Sequence, residues 1–500
     1  MNTALEESFA AMDIGSNSFH MIVAKYSDGR LQIIDRIKDM VRLASGLDDR
    51  HRLDEESMER AIQCLLRFGQ RIREIPRVNV RAVGTNTLRQ ARNSRAFLLR
   101  AREALGHPIE IISGREEARL IFLGVAHTVY NETGHRLVVD IGGGSTELII
   151  GRGFEPELTD SLYMGCVNIS QRHFHDGTVT EKKIRGATLA CRQEMEAVEA
   201  LYRKSGWDTA IGSSGTISTI YDVIVKNGWS DAGITPVSLE MLCDALISAG
   251  RTDNIRLEGL SDRRRPVFVG GVCVLRAVFQ SLGIQRMSFS EGALREGLLY
   301  DLIGRVHDQD IRSHTVDDVA RRYQVDMEQA ERVRATAVNL FAQVREDWDL
   351  DERSDLRLLE WGARLHEIGL SIAHTQYHRH GAYLLSNADL AGFSRPEQYN
   401  LAMLVRAHRR KFPLQELESL PQEDQARITR LCVLLRLAVV LNRSRAYTAP
   451  ARLEFTVKGA NLRLDLPQAW LSDHPLTVAD LETERAYLKA ADIELTLGEE

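Results

Sequence analysis

Two adjacent glutamates are the first candidates for acid–base chemistry in this sequence of 500 residues, in the stretch ISGREEAR at 112–119. Ser113 and Glu116 have the spacing of a capping box, in which Ser113 caps a helix and the Glu116 side chain reaches back to the N-cap amide. Glu117 lies about 100° further round the helix and is not used by the cap. It either stabilises the positive end of the helix dipole or acts as a base.

Three glycine-rich turns could hold an anion: Asp13–Ser18, Asp140–Ser145 and Gly212–Thr216. Glycine lets the backbone approach an anion closely, and successive N–H groups can cradle phosphate oxygens. The first two turns match without a gap, since both begin Asp-Ile-Gly and carry serine at the sixth position. This repeat predicts duplicated halves with a cleft between them. We expect each turn to lead into a second strand.

The elements that would position these turns alternate between strands and helices. Apolar runs predict strands at 9–14, 19–26 and 31–37, the last two joined by Asp28-Gly29. Helical spacing follows at 54–74, 94–105 and 116–129, with strands between at 78–83 and 109–112. The sequence therefore predicts an α/β fold with lobes at 1–130 and 131–305, an all-α domain at 306–448 and a small α+β domain at 449–500.

The amino-acid composition limits the classes of protein to which this chain can belong. The chain has 44% hydrophobic and 27% charged residues, as in ordinary globular proteins, and we expect no transmembrane segment. Its net charge of −6 gives no global attraction for nucleic acid. The six cysteines form no CxxC pair, which argues against a zinc cluster or disulfide scaffold. We expect a cytoplasmic protein, and peripheral membrane association stays open.

Two repeated hairpins around phosphate-binding turns resemble the actin-like (ribonuclease H-like) ATPase clamp. Seven motifs in order narrow this to a resemblance to the exopolyphosphatase/guanosine pentaphosphate phosphatase family: AAMDIGSNSFHMIVA (10–24), VGTNTLRQA (83–91), EIISGREEARLIFLGV (110–125), VVDIGGGSTELIIG (138–151), YMGCVN (163–168), AIGSSGTI (210–217) and GALREGLL (292–299).

This resemblance implies roles for particular residues. Glu117 would be the catalytic base that deprotonates a water, and Asp140 and Glu147 would hold Mg²⁺; a monovalent cation such as K⁺ stays open. The implied phosphate-binding residues are Asp13, Ser16, Asn17, Ser18, Thr85, Arg89, Gly142, Gly143, Gly144, Ser145, Gly212, Ser213, Ser214 and Gly215. A homodimer is also implied.

The helical region resembles the HD phosphohydrolase core in WGARLHEIG (361–369) and HRHGAYLL (378–385). Glu367 follows His366 where that core has aspartate, and Val439 replaces a later aspartate, so we expect no working metal site. The remaining donors predict either a solvated basic face or a polyphosphate channel formed by His378, His380, Arg406, His408, Arg409 and Lys411.

The favoured prediction is an exopolyphosphatase that removes terminal phosphate from inorganic polyphosphate in a Mg²⁺-dependent, processive reaction. The alternative within the family is a 5′-phosphohydrolase of guanosine pentaphosphate (pppGpp). An actin-like ATP-dependent kinase is a further alternative, because VFVGGVCVL (267–275) resembles the adenosine-side glycine pair of such proteins. The last alternative is a non-catalytic protein that senses polyphosphate or an alarmone.

Overall fold

The computed structural model describes residues 7–27, 30–129, 134–231, 233–306, 310–445, 452–489 and 491–499. The chain divides into two compact units, Met1–Ile311 and Arg312–Glu500. Asp28-Gly29 and the predicted domain boundaries at 130/131 and 448/449 lie outside the described residues. The division into four domains stays a prediction.

The first unit begins with a five-stranded sheet in the order β3-β2-β1-β4-β5. β1, β2 and β3 form an antiparallel meander, and β4 and β5 continue parallel to β1. The strands are β1 (Glu7–Ile14), β2 (Phe19–Ser27), β3 (Arg30–Asp39), β4 (Val80–Gly84) and β5 (Ile109–Ile111). The helices are α1 (Glu55–Ile72), α2 (Asn86–Gln90), α3 (Ser94–Leu105) and α4 (Gly114–Thr128).

A second sheet repeats this topology in the order β8-β7-β6-β9-β10, with another three-stranded meander followed by parallel strands. Its strands are β6 (His135–Ile141), β7 (Thr146–Arg152), β8 (Glu155–Leu162), β9 (Thr209–Ser213) and β10 (Ser288–Phe289). The accompanying helices are α5 (Cys166–Phe174), α6 (Glu181–Ser205), α7 (Ser214–Lys226), α8 (Pro236–Ala249), α9 (Arg265–Leu282) and α10 (Leu294–Val306). The prediction of duplicated α/β halves is confirmed.

Helices α4 and α10 cross closely in a core shared by both sheets. This core contains Phe9 from β1, Val138 from β6 and Leu298 from α10, all fully buried. A Cβ atom on Gly297 would overlap the carbonyl of Leu120, so the two backbones approach each other directly. The predicted boundary at 305/306 falls in the last turn of α10, a helix that packs with first-lobe elements.

The second unit is helical and ends in a small sheet, β11-β12-β13. Its helical and strand residues share one core, which extends from Val316 to Leu495. The helices are α11 (Ile311–Arg322), α12 (Met327–Val344), α13 (Ser354–Leu365), α14 (Tyr377–Asn387), α15 (Arg395–Ala407), α16 (Leu414–Glu418) and α17 (Gln422–Leu441). β11 (Glu454–Lys458), β12 (Asn461–Leu466), α18 (Gln468–Asp473), α19 (Pro475–Lys489) and β13 (Glu494–Glu499) follow. The HD-like assignment of this region stays a prediction.

One helix within the described ranges, Arg265–Leu282, is long and apolar enough to cross a membrane by length and composition alone. Its apolar window is 72% buried inside the protein. A buried core helix has the same composition, so this is weak evidence for a membrane span.

Candidate active site

A cleft of about 400 Å³ lies between the two repeated sheets, lined by polar residues from both. Among the predicted site residues, those that line it are Asp13, Ser16, Asn17, Ser18, Thr85, Glu117, Asp140, Gly142, Gly143, Gly144, Ser145, Ser214 and Gly215. The predicted site residues that are not part of this lining are Arg89, Glu147, Gly212 and Ser213. The structure thus brings together residues as far apart in the sequence as Asp13 and Gly215.

The Asp140–Ser145 turn is held by the start of α5. The backbone N–H of Cys166 donates to the Gly142 carbonyl at 2.9 Å, and that of Val167 donates to the Gly143 carbonyl at 2.9 Å. In a trans peptide the carbonyl and the following N–H point in opposite directions. The N–H groups of Gly143 and Gly144 are therefore directed away from α5, as an anion-binding turn requires.

Glycine is required in this turn because neighbouring groups approach its backbone. A Cβ atom on Gly144 would overlap the side chain of Asn86, and one on Gly143 would lie 3.1 Å from the Ser16 Cβ. The two Asp-Ile-Gly turns are thus in direct contact across the cleft. This contact brings the two sets of predicted phosphate-binding groups within reach of one ligand.

The third turn differs from its prediction. β9 leads through Ser213 into helix α7, so the expectation of a second strand after each turn is wrong here. Ser214 has a φ of 79°, a strained value for a residue with a side chain. A Cβ atom on Gly215 would overlap the Arg264 guanidinium. Glycine therefore allows Arg264 to lie against this turn.

The two adjacent glutamates have different partners. Ser113 caps α4 by accepting from the Glu116 backbone N–H at 3.1 Å, as predicted. Both Glu116 carboxylate oxygens accept from Arg119 at 2.8 Å, an ion pair that the capping-box pattern did not predict. Arg119 also donates to Asp301 of α10, so Glu116 belongs to a buried network that joins α4 to α10.

Glu117 lines the cleft and is held by one arginine. Arg89 Nη1 donates to Glu117 Oε2 at 2.7 Å and to the Ile112 carbonyl at 3.1 Å. The second contact anchors the guanidinium to the backbone just before α4. Arg89, predicted to bind phosphate, therefore lies where it orients Glu117.

Three further carboxylates lie near Glu117. The pKa of Asp140 is raised to about 7, chiefly by burial; hydrogen bonding to Ser213 lowers it and the charge of Glu117 raises it. Burial, then the charges of Glu117 and Asp140, raise the pKa values of Asp13 and Glu147. Mutual repulsion among four carboxylates indicates that a cation would stabilise their charged forms.

These carboxylates fit Mg²⁺ as part of its ligand set. Asp13 and Asp140 line the cleft, and the buried Asp13 Oδ1 has no hydrogen-bond partner among the described residues. Glu147 lies opposite Asp140 in the β6–β7 ladder and accepts from Ser161 at 2.8 Å. The described residues contain no group of three or more His, Cys, Asp or Glu side chains arranged to hold a metal alone. Mg²⁺ commonly completes its ligands with water and substrate phosphates.

Sequence reasoning missed a basic group that lines the same cleft: His20, Arg36, Lys38, Arg264 and Arg295. Arg36 and Lys38 alternate along β3 and so share one face of the strand. That alternation was a detectable signal, although basic residues on an exposed strand face are ordinary. The approach of Arg264 and Arg295 depends on the tertiary fold and has no local signature.

His20 connects this group to a phosphate turn. Its Nδ1 accepts from Arg295 Nη1 at 2.9 Å, and its Nε2 lies 2.8 Å from Ser18 Oγ. Burial lowers the pKa of His20 to about 3, and the neighbouring cations contribute, so the imidazole is neutral. Because Nδ1 is the acceptor, Nε2 carries the proton and donates to Ser18. The Ser18 hydroxyl then has its own proton to donate to a phosphate oxygen.

The predicted polyphosphate channel residues have dissimilar environments in the second unit. His378 and His408 are buried, and burial lowers their pKa values, that of His378 to about 4. Arg406 pairs with Glu416 at 2.8 Å, and Arg409 lies 4.4 Å from the centre of the Tyr377 ring. His380 is partly exposed and Lys411 is exposed. The two buried, neutral histidines cannot form a charged channel wall.

The fold and the cleft define a two-lobed α/β protein in which a carboxylate lies beside glycine turns predicted to bind phosphate. A sequence profile of the Ppx/GppA phosphatase family matches residues 22–306, and one of Ppx/GppA phosphatase domain III matches residues 311–485. The chain belongs to the Ppx/GppA phosphatase family. The predicted family and the predicted enzyme class are confirmed.

Among curated relatives, a guanosine-5′-triphosphate,3′-diphosphate pyrophosphatase of Aeromonas hydrophila is 42% identical, covering 95% of this chain and 96% of the relative. One of Vibrio cholerae is 40% identical, covering 95% of each chain. Among solved structures, the Aquifex aeolicus PPX-GPPA enzyme is 28% identical, covers 59% of this chain and 98% of its own, and has a TM-score of 0.50. An exopolyphosphatase from Cytophaga hutchinsonii is 25% identical, covers 60% of this chain and 98% of its own, and has a TM-score of 0.54.

These comparisons correct the predicted function. The main prediction, hydrolysis of inorganic polyphosphate, is wrong, because relatives about 40% identical over nearly the whole chain are named for guanosine 5′-triphosphate 3′-diphosphate. They favour the alternative prediction. The relative named as an exopolyphosphatase is less similar and matches only part of the chain.

Proposed function

We propose that this protein hydrolyses the 5′ terminal phosphate of guanosine 5′-triphosphate 3′-diphosphate (pppGpp). The observation that supports it most directly is the position of Glu117, which lines the cleft beside two facing phosphate-binding turns. The full-length relatives support the choice of nucleotide. Products would be orthophosphate and guanosine 5′-diphosphate 3′-diphosphate (ppGpp).

In the proposed reaction, the backbone N–H groups of Gly143 and Gly144 and the Ser18 hydroxyl bind phosphate oxygens. Glu117 accepts a proton from a water molecule whose oxygen attacks the terminal phosphorus in line with the bridging oxygen. The new P–O bond replaces the bond to that bridging oxygen, which leaves on the β-phosphate. Arg89 keeps the Glu117 carboxylate oriented toward the water.

Asp13 and Asp140 would hold Mg²⁺ in this cleft. When bound, the ion would neutralise charge on the phosphate chain and complete its ligand set with phosphate oxygens. Removing it with EDTA should abolish phosphate release, and adding Mg²⁺ should restore it. Mg²⁺ should also raise the melting temperature, because it relieves the repulsion among the carboxylates.

The experiment that tests the proposal measures orthophosphate and ppGpp formation from pppGpp, with wild type and Glu117→Gln. Loss of the general base should reduce kcat by roughly 10²–10⁴-fold. Glu116→Gln is the matched control: it should lower thermal stability through the Arg119 network while keeping most of the activity. Equal activity of wild type and folded Glu117→Gln would contradict the assignment of Glu117.

The kinase alternative has lost its structural support. Gly270 and Gly271 lie inside helix α9, where a Cβ atom would overlap Ser170 and Thr216 respectively. They serve close packing of α9 against α5 and α7. The pair therefore does not form a glycine turn for a nucleoside.

A further inference from the structure

The second Asp-Ile-Gly turn is held by α5 through three successive carbonyl groups. Backbone N–H groups at the start of α5 donate to the carbonyls of Gly142 and Gly143. The next carbonyl, that of Gly144, accepts from the side-chain Nδ2 of Asn168 at 3.0 Å. The first two carbonyls are therefore held by the main chain of α5, and the third is held by one of its side chains.

The Asn168 contact determines which way the Gly144–Ser145 peptide faces. A carbonyl oxygen can only accept a hydrogen bond, so the amide nitrogen of Asn168, and not its amide oxygen, faces Gly144. In a trans peptide the N–H of the next residue points away from the carbonyl. The Ser145 N–H is therefore directed away from α5, to the same side as the N–H groups of Gly143 and Gly144.

The Ser145 N–H is available to a ligand in the cleft. Ser145 lines the cleft, and its backbone N–H donates to no other group in the part of the chain that the structure describes. Successive N–H groups that point into one concavity form an anion-binding nest. The N–H groups of Gly143, Gly144 and Ser145 have this arrangement.

The first Asp-Ile-Gly turn is held by main-chain groups. Its Ser16 and Asn17 carbonyls accept from backbone N–H groups of the segment after β3, each at 2.8 Å. Such contacts do not depend on which side chains the segment carries. Asn168 is thus a position where a substitution can release one peptide of a predicted phosphate turn while the backbone contacts of both turns stay intact.

Asn168 affects a ligand only through this peptide. It is partly buried and does not belong to the lining of the cleft. Glycine adopts a wide range of backbone conformations, so the peptide after Gly144 can rotate at low cost once its carbonyl is released. A rotated peptide would direct the Gly144 oxygen into the cleft, where it would repel phosphate oxygens.

We propose that Asn168 is a positioning residue that keeps the Ser145 N–H directed at a phosphate oxygen of the substrate. This inference rests on the proposed function, in which the same turn binds the 5′ phosphates. Because the N–H is oriented before the substrate arrives, binding does not have to order it. The contact is made alike to the bound substrate and in the transition state, so it contributes to KM rather than to kcat.

The test is the steady-state hydrolysis of pppGpp by wild type, Asn168→Leu and Asn168→Ala. Leucine has nearly the shape of asparagine without the donor, and alanine is the second variant if melting curves show that Asn168→Leu does not fold. The KM should rise roughly tenfold, as for a lost charge-assisted hydrogen bond, while kcat stays within about twofold. Gln171→Ala is the matched control, because this amide is exposed on the next turn of α5 and lies outside the cleft lining; it should keep the wild-type KM.

The outcomes separate this inference from the proposed function. A wild-type protein that releases no phosphate from pppGpp overturns both. If wild type is active and the folded variants keep its KM, or lose kcat instead, Asn168 does not position the turn for binding, while the proposed phosphohydrolase remains. A crystal structure of Asn168→Ala should show the Gly144 carbonyl turned into the cleft; a carbonyl that still points to α5 would overturn the inference as well.

Discussion

At the residue scale, two neighbouring carboxylates on one helix have separate roles because a helix turns about 100° per residue. Glu116 points into a buried network with Arg119 and Asp301, whereas Glu117 points into the cleft and pairs with Arg89. The sequence predicted a structural Glu116 and a Glu117 left for the cleft, but it assigned the Glu116 carboxylate to the N-cap amide, whereas both of its oxygens accept from Arg119. It did not predict the arginine partners, which come from sequence positions near and far.

Lys38 gives a prediction for pH dependence. Its pKa of about 8 means that it is charged below pH 8 and neutral above it. Because Lys38 lines the cleft, the KM for pppGpp should therefore rise as pH increases through about 8. His20, with a pKa of about 3, stays neutral throughout this range.

The measurement is the KM for pppGpp of wild type and of Lys38→Met between roughly pH 6.5 and pH 9.5, the range that brackets this pKa. The ratio of the two KM values cancels pH effects that both proteins share. Lys38→Met should have the higher KM at low pH, and the difference should disappear above about pH 8, where Lys38 is neutral in the wild type. A ratio that is constant across the range would show that the charge of Lys38 does not contribute to substrate binding.

At the scale of elements, the position of Glu117 depends on how α4 packs against α10. Gly297 lets the α10 backbone approach the Leu120 carbonyl of α4. In Gly297→Ala the new methyl group would force the helices apart. We expect the free energy of unfolding to fall by about 1–3 kcal/mol, the range for overpacking, together with a lower kcat because α4 carries Glu117.

Gly186→Ala is the matched control for this substitution. Gly186 lies in the interior of α6, is exposed and has open space where a Cβ atom would be added. Alanine there should raise the free energy of unfolding by about 0.5–1 kcal/mol, because glycine is a weak helix former. Urea titration of both variants measures the difference. A Gly297→Ala protein as stable as wild type would show that α4 and α10 can shift to accommodate the added methyl group.

The helices and strands of both lobes could be predicted closely from local patterns of apolar residues in the sequence. The apolar runs at 9–14 and 19–26 became β1 and β2, and the helical spacing at 94–105 gave α3 with the same bounds. The turn at Gly212–Thr216 was misjudged, because a glycine turn is equally compatible with a following strand or helix. The glycine pair in α9 was likewise ambiguous, since glycine serves both anion-binding turns and close helix packing.

At the scale of the whole molecule, repetition of the Asp-Ile-Gly motif was enough to predict two similar sheets and a cleft between them. Contacts between residues that are distant in the sequence could not be predicted. Arg264 and Arg295 reach the cleft only through the packing of α9 and α10. Substrate choice was also misjudged, because basic residues such as His378 and His408 were interpreted from the sequence as the wall of a polyphosphate channel. Burial, which the fold decides, makes them neutral.

The first unit should retain the reaction by itself. Every residue that lines the cleft lies between Asp13 and Arg295, within the compact unit Met1–Ile311. The Aquifex aeolicus and Cytophaga hutchinsonii structures align over 98% of their own length with only 59% and 60% of this chain. A protein of about the size of this unit can therefore exist as a folded chain.

A fragment of residues 1–311 should consequently give a cooperative melting transition and release phosphate from pppGpp with a kcat within tenfold of the full chain. The full-length Glu117→Gln protein and the same substitution in the fragment provide the background rates. Circular dichroism first establishes that the fragment is folded. A folded but inactive fragment would mean that residues beyond 311 contribute to the site, whereas retained activity locates the whole catalytic apparatus in the duplicated α/β unit.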